Sequence, residues 1–88
     1  MNIYLLTQNE NNGYDTYDAI IVVAATVQNA SQIHPSGYIW KDTSWYDGLV
    51  PTQYDYTWTT PDNVSVKLLG IAMLDLEPGV ILTSFNAG

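Results

Sequence analysis

Residues 2–8, NIYLLTQ, put β-branched, aromatic and aliphatic side chains on both faces of an extended chain. A strand of that kind loses too much apolar contact at a sheet edge; it belongs in the middle, between two neighbours. This one segment constrains the whole fold, because the rest of the chain must supply both flanking strands. One of them follows at once. The polar stretch 9–16, NENNGYDT, holds Asn12-Gly13, a dipeptide tolerant of positive φ, and leads into 17–25, YDAIIVVAA. Two apolar runs on either side of a turn signal predict a hairpin with a longish loop.

Thr26 then reads as the N-cap of a short helix over 27–34, with Val27, Ala30 and Ile33 spaced in threes toward the sheet. His34-Pro35-Ser36-Gly37 ends it, since Pro35 disfavours helical geometry at His34 and Gly37 turns the chain. Residues 64–73, VSVKLLGIAM, and 80–85, VILTSF, predict two further strands around the loop LDLEPG. A crossover over the helix sets the third main strand beside the first. These elements predict an α+β fold in a single domain over residues 1–88. Its core is a four-stranded antiparallel sheet of order 2-1-3-4, with one short helix on one face and an aromatic-rich insert.

The insert is residues 38–61, YIWKDTSWYDGLVPTQYDYTWTTP, which hold all three tryptophans and four of the seven tyrosines. It has no clean period, and long irregular stretches in compact domains are usually functional or mobile. Extended pieces are expected at 38–41 and 54–59, joined by turns at Asp47-Gly48 and Pro51. Two readings of its rings stand side by side. They form a second small core on the helix-free face of the sheet, or they form a binding face; different rings can do each.

Charge narrows the partners. Nine acidic residues face two lysines and no arginine, a net charge of -7. Such a chain repels phosphates, so direct nucleic-acid binding is not expected, and a basic partner is favoured. No cysteine is present, which removes disulfides and thiolate metal sites. The longest apolar run, 19–25, falls far short of the ~20 residues that span a bilayer, so a soluble, cytoplasmic protein without membrane association is expected.

No motif for chemistry stands out. The loop carboxamides and carboxylates Asn9, Asn11 and Asp15 alternate around Gly13, but no glutamate closes a calcium loop. His34 is the single histidine and reads as a residue at the helix C-terminus; a catalytic base needs an orienting partner that the sequence does not supply. The pairs Asp15/Asp18, Asp42/Asp47 and Asp75/Glu77 read as solvated loop charges. The glycines make no phosphate-cradling motif. Neither catalytic residues, nor a metal site, nor a cofactor is expected.

The segment YLLTQNENNGYDTYD, followed by IIVVAAT, IHPSG, VKLLG and the closing GVILTSFNAG, resembles a small open-reading-frame family of phages, prophages and bacterial genomes. The likeness covers both ends of the chain and fades in the middle. It implies a short phage-type accessory protein and brings no catalytic residues with it. In size and acidity the chain is also similar to phage inhibitors of host defence, anti-CRISPR proteins among them, an analogy of class. The function expected is therefore non-enzymatic inhibition of a host defence protein, in the host cytoplasm, by stoichiometric binding to a basic site. Trp40, Trp45, Tyr46 and Trp58 are the expected anchors, and Asp42, Asp47 and Asp55 the steering charges. The alternative is a sponge that traps a nucleotide signal between rings, with an oligomer supplying the pocket.

Overall fold

The computed structural model describes residues 1–11, 13–52 and 57–86. The chain runs β1 (Asn2–Thr7), β2 (Thr16–Ala24), α1 (Val27–Ser31), β3 (Ile39–Lys41), β4 (Ser44–Asp47), β5 (Val50–Pro51), a 3-10 turn (Pro61–Asn63), β6 (Ser65–Ile71) and β7 (Gly79–Asn86). It is a small α+β fold. A four-stranded antiparallel sheet has the order β6-β1-β2-β7, and a separate three-stranded sheet has the order β3-β4-β5.

The apolar strand β1 is central, between β2 and β6, as its sequence requires. The order departs from 2-1-3-4 in one respect: the last strand pairs with β2, not with its sequence neighbour β6. The reason is legible in β2. Its segment Ile20–Ala24 is as apolar as β1, and Val22, Val23 and Ala24 are all buried, so β2 also needs two neighbours. Residues 72–78 carry the chain across the end of the sheet, a span of three strand spacings, or roughly 14 Å. The Ala72 N–H donates to the Met1 carbonyl on the way.

The helix is one turn shorter than the sequence pattern indicates. Thr26 caps it as expected, its hydroxyl accepting from the Asn29 N–H at 3.0 Å. The helix stops at Ser31, and Ile33 pairs instead with Ile39 in an isolated bridge. His34 is thereby carried off the helix end into the core, where it is completely buried.

One core serves both sheets. Alternate positions of the large sheet, Tyr4 and Leu6 on β1 and Ile20, Val22 and Ala24 on β2, meet Ala30 of the helix, Trp45 of β4 and Trp58. Tyr38, Trp40, Val64 and Val66 pack around them. The aromatic stretch therefore joins the helix on the same face of the large sheet; it does not form a second core on the helix-free face. That opposite face carries Ile3, Leu5, Ala19 and Ile21, all half-buried, the exposed Leu82 and the buried Val23.

Candidate functional site

The three-stranded sheet is built from two tight hairpins. Lys41 pairs with Ser44, leaving Asp42-Thr43 as a two-residue loop, and both residues have positive φ, 51° and 64°. That is the backbone of a type I′ turn, whose twist matches the strands it joins. Asp47 pairs with Val50 around Gly48-Leu49, with Gly48 at φ 64°. Glycine takes the one left-handed position of this second loop, as a type II′ turn requires.

Strand alternation then sorts the side chains. Trp40 and Trp45 are register partners on the inner side, with rings 5.1 Å apart and nearly perpendicular. Trp45 is buried, and its indole N–H donates to the Thr59 carbonyl at 2.9 Å. The His34 ring stands edge-on to Trp45 at 5.0 Å and leans on Tyr38 at 4.6 Å. Its Nδ1 accepts the Ser36 N–H at 2.9 Å, so this histidine is a packed and hydrogen-bonded member of the core. Trp58 is buried as well, and its indole N–H has no hydrogen-bond acceptor among the described residues.

The outer side reads differently. Ile39, Tyr46 and Pro51 form one register row across all three strands. Ile39 and Pro51 are exposed, and Tyr46 is half-buried, with the Lys41 ammonium 5.9 Å from its ring centroid. Leu49 stands at the β4–β5 tip with 92% of its surface exposed, beside the exposed Val50. Asp42 and Asp47 are exposed at opposite ends of the sheet, five residues and so on the order of 16 Å apart along the strand direction.

The expected site residues therefore separate. Tyr46 lies on the outer face, and Asp42 and Asp47 are exposed at the two ends of its strand, far from each other. Trp45 and Trp58 are core side chains whose rings face the large sheet, and Trp40 is half-buried between the two settings. Asp55 lies outside the described residues. Sequence reasoning passed over Ile39, Leu49, Val50 and Pro51. The signal for them was the pair of short hairpins: once Asp42-Thr43 and Gly48-Leu49 are turns, parity sends Ile39 and Tyr46 to the side away from Trp40 and Trp45.

The polar loop between β1 and β2 is held by one side chain. Gln8 is buried, and its amide donates to the carbonyls of Asn11 and Tyr17, both at 2.7 Å. Its oxygen accepts from the N–H groups of Glu10 and Asn11, both at 2.9 Å. Asn11 donates to the Trp58 carbonyl, and the Thr59 hydroxyl donates to a Glu10 carboxylate oxygen at 3.0 Å. The loop thus braces the aromatic stretch. Among the described residues, no group of three or more His, Cys, Asp or Glu side chains is placed to hold a metal, and no helix is long and apolar enough to cross a membrane.

Comparison with protein families, with curated proteins and with solved structures finds no match to this chain.

Proposed function

We propose that this chain is a non-enzymatic binding protein, a phage-type accessory factor that inhibits a host defence protein by stoichiometric association with a basic site. One observation carries the reading. The outer face of the β3–β4–β5 sheet presents the row Ile39–Tyr46–Pro51 and the exposed Leu49 to solvent, with Asp42 and Asp47 at its two ends. Apolar and tyrosyl side chains within a charged rim are the anatomy of a protein contact. Two carboxylates at the rim favour encounter with a positively charged surface and act mainly on the rate of association. The overall charge of -7 points the same way. The inner face of the same sheet, fixed in the core by Trp45, gives this surface a rigid backing, which lowers the cost of ordering it on binding.

The test is capture from a host lysate, followed by titration of the captured protein with variants. Tyr46→Ala and Leu49→Ala are expected to weaken binding at least about tenfold, in line with interface anchors, while the thermal midpoint stays near that of the parent. Asp42→Lys with Asp47→Lys is expected to slow association and flatten its salt dependence. A captured partner that binds all these variants as tightly as the parent overturns the reading.

A further inference from the structure

The opposite side of the molecule carries a second surface, and it rests on no part of the preceding proposal. The strand register gives three rows of side chains on the helix-free face of the large sheet. The middle row is Lys67–Leu5–Ile21–Leu82, crossing β6, β1, β2 and β7 in turn. Above and below it lie Gly70–Ile3–Val23–Gly79 and Ser65–Thr7–Ala19–Ser84. Leu5, Ala19, Ile21 and Leu82 line a shallow apolar depression, and Leu82 is 61% exposed. An antiparallel sheet with one face in water normally alternates apolar and polar residues. This one presents branched aliphatic side chains at its centre on both faces.

We infer that this face binds the same face of a second copy of the chain, making a sheet-on-sheet homodimer. Two observations select a second copy over another occupant. The first is charge. Among the described residues, no acidic side chain occupies a paired position in the three rows: Asp18 sits in the bulge between Tyr17 and Ala19, and the others lie outside the strands of the large sheet. A chain of charge -7 keeps its carboxylates off the rows of this one face, where like charges of two copies would otherwise meet. The second is shape. Small residues, Gly70, Gly79, Ser65 and Ser84, fill the corner positions, so a second flat sheet can approach to the usual spacing of about 10 Å.

Lys67 fixes the symmetry. A two-fold axis running across the strands would lay β6 over β6 and oppose the two ammonium groups. An axis along the strands lays β6 of one copy over β7 of the other and separates the lysines to opposite rims. The second arrangement is the one inferred. It leaves the outer faces of both small sheets pointing away from the interface, so the dimer would present two docking surfaces.

Sedimentation equilibrium from about 1 to about 100 μM tests the inference, since an association of this kind depends on protomer concentration. The expected result is a mass twice that of the 9.8 kDa chain, with dimerisation tightening as salt rises and screens the shared negative charge. Leu82→Lys, on an edge strand, should raise the dissociation constant at least about tenfold while the circular dichroism spectrum stays unchanged. If that variant fails to fold, Ser84→Arg blocks the same face without removing an apolar side chain and decides the point. A monomer throughout the concentration range overturns the inference. So does a dimer that survives the folded variant, which would place the contact on the free edge of β7 instead.

Discussion

The two sheets share one core but turn very different backs to the solvent. The large sheet seals its inner face with Tyr4, Leu6, Ile20 and Val22, and its outer face is a nearly uncharged apolar floor around Leu5, Ile21 and Leu82. The small sheet seals its inner face with Trp40 and Trp45, and its outer face carries Ile39 and Tyr46, with the exposed Leu49, Asp42 and Asp47 at its two ends. The difference teaches how a small chain divides its surface. A face without carboxylates can meet a copy of itself, whereas a face with carboxylates repels its own copy and favours a basic partner. Salt separates the two. Rising ionic strength should strengthen contact through the large sheet and weaken contact through the small one, and the same sign of response at both would erase the distinction.

The largest expected effect lies where the two inner faces meet. Trp58→Ala removes a fully buried ring that packs against both layers and should cost about 3–5 kcal/mol, a large share of the stability of a domain this size. Urea unfolding measures it. A loss under about 1 kcal/mol would mean that the sheets do not share a core and must be treated as independent layers.

Gln8→Ala comes next. It orphans the Glu10 and Asn11 N–H groups and the carbonyls of Asn11 and Tyr17 beneath the polar loop, an expected cost of about 1–3 kcal/mol. Because that loop bonds to Trp58 and Thr59, hydrogen exchange should quicken in the aromatic stretch as well as in the loop. Exchange confined to residues 9–16 would show that the brace does not reach the small sheet.

A gain is expected from Thr43→Gly. Thr43 is β-branched and sits at φ 64° in a turn where glycine is the favoured residue. Relief of that conformation, less the extra freedom of glycine in the unfolded chain, should stabilise the protein by roughly 0.5–1 kcal/mol. A lower thermal midpoint in this variant would mean that the Thr43 side chain contributes more than its backbone costs.

The smallest effect on stability is expected for Leu49→Ala. With Leu49 almost wholly exposed at the β4–β5 tip, unfolding free energy should stay within about 0.5 kcal/mol of the parent. The contrast with Trp58→Ala sharpens the division of the aromatic stretch into a buried side and an exposed side. Equal losses from the two would abolish it.

Much of this was written in the sequence. The two-sided apolar character of NIYLLTQ placed β1 at the centre, Thr26 marked the start of the helix, and the runs VSVKLLGIAM and VILTSF marked β6 and β7 within one or two residues. Those signals are local: a cap or a period depends on residues a few positions apart. Which edge receives β7 is not local. It was settled by β2, whose apolar segment Ile20–Ala24 needed a second neighbour as much as β1 did, and by a connection long enough to reach it. The fate of the tryptophans is likewise a tertiary matter. Composition shows that rings are present, but only the parity set by the Asp42-Thr43 and Gly48-Leu49 turns sends Trp45 inward and Ile39 and Tyr46 outward. A one-residue change in either hairpin would exchange the two faces, since side chains alternate with period two and register, unlike propensity, is decided between strands.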